Sequence, residues 1–266
     1  MNALGLAVLA IAALCATLAH AAVVPPPIEH VAFAPGANAV LPLDVALTDE
    51  HGERVQLRDY LDRGPAIVVP AYFACSNLCG IVLHGLAQDL STAAIEAGRD
   101  VEVIAVSIAP DEGPDAALEK KRMVLGEDVP GWHFLTGDEA AIHAVSAALG
   151  YRYAYDPVER QYAHASGIAI VSPRGRISRV MYGVAFPERE LHEALATARA
   201  RDPPPAEADA TADLARTWLL CFHYDPHTGR YTFAAMNAVR IAALVALTAL
   251  CFAIIRMCRH ERGARS

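Results

Sequence analysis

The chain has 266 residues, enough for one folded body with accessory segments. Its formal net charge of -8 argues against nucleic acid as a partner, the more so for the body, because arginines cluster at the extreme C-terminus. The 54% of hydrophobic residues overstates the core, since much of it lies at the two ends.

In chain order, residues 1–21 read as a signal peptide: an apolar run followed by Ala19-His20-Ala21, a small-x-small cleavage signal. No Lys or Arg precedes the run, and Leu14 before Cys15 argues against lipid attachment at that cysteine. After an N-terminal extension over 22–39, the stretch 41–57 predicts two short strands around the turn signal Asp49-Glu50-His51-Gly52. AIVVPAYFA (66–74) predicts a buried strand, with Pro70 as the feature against a regular central one. Ile81, Val82, Leu86, Leu90 and Ile95 recur near a helical period and predict a helix from Leu78 to about Gly98. A strand from Val101 and a helix opened by Pro114 follow, then a short strand GWHFLTG and a helix with Asp138 as N-cap and Gly150 as its stop. Residues 151–165 read as loop or hairpin. Two strands, GIAIVS and RISRVMYG, then flank the turn Pro173-Arg174-Gly175, and a helix from Pro187 to about Ala200 closes the body. The alternation with a terminal hairpin predicts an α/β fold with a mixed central sheet flanked by helices.

Residues 201–213 are a Pro/Ala/acidic linker and 214–233 a juxtamembrane segment. Residues 234–255 predict a transmembrane helix, provided that Arg240 snorkels to the interface. The basic tail 256–266 then puts the C-terminus in the cytoplasm and the body on the exported side. There Cys75, Cys79 and Cys221 face an oxidising compartment, and three thiols cannot all pair within the chain.

Cys75 and Cys79 straddle the predicted start of the first long helix. A helix N-terminus favours negative charge and lowers thiol pKa values, which suits both disulfide exchange and soft-metal binding. Spacing alone leaves three readings open: a local structural disulfide, a redox couple, or part of a metal site.

The segment LTDEHGERVQLRDYLDRGPAIVVPAYFACSNLC, followed by a helix, by VIAVSIAP and later by AHASGIAIVSPRGRISRVMYG, resembles the SCO/SenC family of thioredoxin-fold copper proteins over residues 40–200. The resemblance implies a thioredoxin-like fold and one copper ion, Cu(I) or Cu(II), held by Cys75, Cys79 and His164. Two thiolates and an imidazole are a soft donor set that suits copper, whereas hard cations want carboxylates. It also implies a copper chaperone for cytochrome c oxidase, with subunit II or another copper acceptor as partner, tethered to a bacterial inner membrane and facing the periplasm. The alternative is a thiol-disulfide oxidoreductase that uses Cys75 and Cys79 as redox thiols without His164. A third reading is a docking module with an inert disulfide.

This chain departs from the family pattern at Ser76 and Gly80, where prolines are usual, and at Ala109, where an acidic residue often follows V-S-I. Tyr72, where a peroxiredoxin carries Thr, argues against peroxidase activity. His84, His133 and His143 read as structural, and Cys221, His223 and His227 as an ordered juxtamembrane turn that could also bind metal or a partner.

Overall fold

The computed structural model describes residues 31–62, 64–74, 78–126, 129–156 and 161–199, together with 224–225, 230–231 and 248. The chain divides into two units, Pro27–Thr232 and a second of Met1–Pro26 with Phe233–Ser266, and the latter's described residues come to Thr248 alone. The expected leader, linker and membrane span lie outside the described residues apart from Thr248. Among the described residues no helix is long and apolar enough to cross a membrane.

The centre of the body is a five-stranded mixed sheet. Strands β4 (Ala66–Ala71), β5 (Glu102–Ser107) and β6 (Trp132–Leu135) run parallel; β10 (Gly167–Val171) pairs antiparallel with β4, and β11 (Ile177–Tyr182) antiparallel with β10. The sheet order is therefore β11-β10-β4-β5-β6. Every residue of β4, β5 and β10 is buried, as expected for strands covered on both faces. Successive side chains point to opposite faces and build two cores. On one face Ile67, Val69, Val103, Ala105, Ile168 and Ile170 pack with α2 (Leu78–Thr92), α3 (Pro114–Leu125) and α5 (Glu188–Ala198). On the other, Val68, Ile104, Val106 and Ala169 pack with α4 (Glu139–Ala148) and with Phe33, Leu47, Leu57 and Leu61. Each fully buried Leu, Ile or Phe contributes on the order of 1.5–3 kcal/mol.

Pro70 fits this central strand because of where the ladders stop. Ala71 accepts from Ile108 N at 2.9 Å, so Ala71 faces β5 and Pro70's nitrogen faces the β10 side. The β10 ladder ends at the pair Ala169↔Val68, and the missing N–H falls beyond its last rung.

The expected hairpin at 41–57 is β2 (Ala46–Thr48) with β3 (Arg54–Gln56), followed by a four-residue helix α1 (Arg58–Leu61) that periodicity does not predict. Asp138 caps α4 by accepting from Ala141 N at 2.8 Å, as its position implies. Gly150 stops that helix at φ 58, and a Cβ there would lie 2.0 Å from the Ala34 carbonyl oxygen.

The helix expected to reach Gly98 ends at Thr92. Ile95 N bonds Leu90 O and Ala94 takes φ 54, so the chain unwinds while Ala93 and Ile95 still enter the core. Burial outlasts the helix there, which is why the apolar period reads through.

Beyond the expected elements, β1 (Ala32–Phe33) pairs antiparallel with β7 (Tyr151–Arg152), and Phe33 is fully buried, so the body reaches back to residue 32. The stretch read as loop or hairpin is a hairpin, with β8 (Ala154–Asp156) antiparallel to β9 (Gln161–Ala163).

Candidate metal centre

The sheet's connectivity brings the segments that lead to Cys75 and to His164 to one end. Because β10 runs antiparallel to β4, the residues leaving β4 and those entering β10 lie at the same sheet edge. Tyr72, Phe73 and Ala74 leave β4 and lead to Cys75, while β9 leads through Ala163 to His164 and then to β10. The two segments touch: the rings of Tyr72 and Tyr162 meet edge to face, 5.2 Å apart at 76°. Tyr72 stands three residues before Cys75 and Tyr162 two before His164. Tyr153 and Tyr155 close on Tyr162 at 5.6 and 5.2 Å, giving an aromatic wall beside this edge. Burial pushes the phenols of Tyr153 and Tyr162 up from their ordinary range, and Asp111 adds to the rise at Tyr162.

His164 is only 2% exposed, against the expectation for a loop residue before a strand. Its Nδ1 lies 2.8 Å from Tyr151 Oη and 3.0 Å from Ala165 O, and Tyr151 Oη in turn donates to Ala165 O at 2.8 Å. With the Tyr151 proton on Ala165 O, the tautomer that satisfies both Nδ1 contacts carries its proton on Nδ1. The reverse tautomer would set a bare Nδ1 against a carbonyl oxygen. A metal taken by this ring is therefore taken through Nε2, with Tyr151 and Ala165 holding the opposite nitrogen.

On the other side of the edge, Glu112 reaches across from the turn between β5 and α3. Its carboxylate accepts from Phe73 N at 3.0 Å, from Ala74 N at 2.5 Å and from the Ser107 hydroxyl at 2.6 Å. Burial pushes the Glu112 carboxyl up from the usual value, and the three donors only partly offset that rise.

Cys79 lies in the first turn of α2, while Cys75 and the side chain of Cys79 lie outside the described residues. Among the described residues no group of three His, Cys, Asp or Glu comes together to hold a metal. The expected donor set is two thiolates, which carry the charge that a copper ion needs, and one imidazole in the tautomer a metal requires. Its described member fits that role.

The other histidines sit elsewhere. His84 Nδ1 meets Val124 O at 3.3 Å and bridges α2 to α3; His133 Nε2 meets Glu102 Oε2 at 2.8 Å beneath the Tyr60 ring; His143 lies exposed on α4. The contacts of His84 and His133 fit the packing and structural roles expected of them. Cys221, His223 and His227 lie outside the described residues, but Tyr224–Asp225 pairs antiparallel with Arg230–Tyr231, which fits an ordered turn.

Sequence reasoning missed Tyr151 and Glu112. The alternation of Tyr151, Tyr153 and Tyr155 was a usable signal, since a period of two puts all three on one face of an extended chain. Glu112 left none, because the two backbone amides it accepts from stand 38 and 39 residues upstream.

No curated protein matches the sequence. Among solved structures, a candidate electron transfer protein from Aquifex aeolicus VF5 is similar at TM-score 0.57 and 23% identity, over 62% of this chain and 95% of that one. BsSco, described as a member of the Sco family of cytochrome c oxidase assembly proteins, is similar at TM-score 0.51 and 19% identity, over 64% and 99%. Arabidopsis thaliana ScoI, solved with copper bound, aligns at TM-score 0.49 and 18% identity, over 61% and 98%. At these identities the likeness to the first two is one of fold, and the fold is the thioredoxin-like one. The family profile described as SCO1/SenC matches residues 38–199, more than half of the sequence and nearly the whole described body. The chain belongs to the SCO1/SenC family.

Proposed function

We propose that this protein binds one copper ion through the thiolates of Cys75 and Cys79 and through Nε2 of His164, and delivers it to a copper acceptor during cytochrome c oxidase assembly. The observation that carries this reading is the state of His164: a buried ring whose Nδ1 is held by Tyr151 and Ala165, so that a metal taken by the ring is taken through Nε2. The Tyr72–Tyr162 contact supports it by tying the approach to Cys75 to the approach to His164. Membership of a family that includes cytochrome c oxidase assembly proteins supports the acceptor.

In this mechanism the copper is cargo. The thiolates supply charge and soft donor atoms, His164 completes the set, and acceptor thiolates displace the ligands in turn. The residues outside the described body complete the proposal: a leader at 1–21 for export, a Pro/Ala/acidic linker at 201–213, and an inner-membrane helix at 234–255 that keeps the body on the periplasmic face. The dinuclear centre of subunit II, whose ligands include thiolates, is the acceptor this chemistry suits.

The test is anaerobic titration of the reduced full chain, with Cu(I) read by competition against a colorimetric chelator and Cu(II) by absorption and EPR. One equivalent bound is expected. Failure to take up either ion overturns the reading.

A further inference from the structure

Glu112 stands where the backbone of the Cys75 segment leaves the sheet. In an extended strand, successive N–H groups point to opposite sides, so one carboxylate cannot accept from two in a row. Phe73 N and Ala74 N both donate to Glu112, one to each oxygen, at 3.0 and 2.5 Å. The chain has therefore turned out of β4 with two consecutive amides aimed at one anion, and that anion belongs to a side chain from another loop.

The carboxylate is held from behind. Ser107, fully buried at the end of β5, accepts from Ala109 N at 3.0 Å and gives its proton to Glu112 Oε2 at 2.6 Å. The sequence Ser107–Glu112 thus forms a small bracket that begins on the central sheet and ends on the two peptides before Cys75. Peptide groups so fixed set the path of the chain as far as the Cα of Ala74, the residue before Cys75. Such hydrogen bonds to a charged acceptor are shorter and about twice as strong as neutral ones.

We infer that Glu112 is a positioning residue for Cys75, fixing the two main-chain N–H groups that lead into it and so setting where that thiol stands relative to His164. The inference rests on the copper reading only in naming Cys75 a ligand.

The experiment compares the full chain, solubilised in detergent, with Glu112→Ala and Glu112→Gln. Three quantities are read: amide exchange of the peptide covering Phe73 and Ala74 in the reduced, metal-free protein, Cu(I) affinity by chelator competition, and the ratio of disulfide to dithiol at Cys75 and Cys79 in a glutathione buffer, by alkylation and peptide mass. In Glu112→Ala the exchange is expected to quicken about tenfold or more, the loss of one or two charge-assisted bonds. Copper affinity is expected to weaken by about tenfold and the disulfide ratio to shift, each by the same reasoning about a misplaced thiol. Glu112→Gln, which keeps one acceptor oxygen at the same reach, should lie between, and it decides the matter if the alanine variant does not fold. Unchanged exchange overturns the inference. So does faster exchange with wild-type copper affinity and disulfide ratio, because Glu112 then serves the fold alone. If the wild type binds no copper, the copper reading fails separately, and exchange with the disulfide ratio still decides the role of Glu112.

Discussion

The phenol oxygen of Tyr151 lies 2.8 Å from Nδ1 of His164 and 2.8 Å from the carbonyl oxygen of Ala165, so one hydroxyl fixes both the ring's orientation and its tautomer. Phe33 packs edge to face on Tyr151 at 5.0 Å and 89°, and Phe33 comes from the short strand that pairs with Tyr151's own. The aromatic core behind the sheet edge thereby holds the His164 ring in front of it. Tyr151→Phe keeps the ring and removes the hydroxyl. The expected result is a fold of nearly unchanged stability with copper affinity reduced about 10- to 100-fold, the usual cost of losing such an outer partner. Chelator competition measures it, and affinity within twofold of wild type would show that Ala165 O suffices.

His164 also separates copper handling from thiol chemistry. His164→Ala removes the imidazole and leaves Cys75 and Cys79 in place. Copper is expected at well under one equivalent in the variant, while reduction of a model disulfide by its thiols proceeds as in the wild type. Loss of both would make His164 a folding residue; retention of copper would exclude it from the ligand set.

How much of this could be read from the chain alone depends on how local each cause is. The strands β4 and β5 were legible because a strand buried on both faces must be apolar throughout, and Ala66–Ala71 and Glu102–Ser107 nearly are. The helix α4 announced both ends through Asp138 and Gly150. The two-residue pairing of Phe33 with Tyr151 was not legible, since it depends on a contact across more than a hundred residues and on no periodic pattern. In the candidate site, Cys75, Cys79 and His164 could be named from a resemblance because they are few and distinctive. The side chains that hold them could not. Ala109 drew attention to a missing acid, whereas the carboxylate that reaches the edge comes from Glu112, three residues on, by a turn through Ser107. The burial of His164 was hidden for the same reason: the Tyr151 ring that covers it arrives from a different strand.

A buried ion pair ties the turn between β2 and β3 to the helix that follows the Glu112 turn. Lys121 Nζ lies 2.5 Å from Glu50 Oε1, with the two residues 4% and 5% exposed, and Glu50 also accepts from Phe134 N at 2.9 Å. Removing the lysine leaves a carboxylate in the interior with the Phe134 N–H at 2.9 Å and the His51 ring at 3.9 Å. Lys121→Ala is expected to cost about 3 to 5 kcal/mol, the range for a broken buried pair. Urea denaturation gives the value. A loss below about 1 kcal/mol, as at exposed pairs, would show that water reaches Glu50.

The raised carboxyl of Glu112 makes stability depend on pH with a definite sign. Burial favours its protonated form, so the folded protein binds that proton more tightly than the unfolded chain, whose group keeps the ordinary value of 4.5. The contribution is fully present below 4.5 and is lost as pH rises through the folded value. Other carboxylates titrate in the same window, so the quantity to follow is the difference in unfolding free energy between the wild type and Glu112→Gln, whose amide does not titrate. That difference should move in favour of the wild type as pH falls from 7 towards 4 and level off below it. Denaturant midpoints measured across that range, on metal-free reduced protein, check the expectation. A difference that is flat with pH, or that moves against the wild type on acidification, would mean that the donors from Phe73, Ala74 and Ser107 outweigh burial and hold the carboxyl at or below its ordinary range.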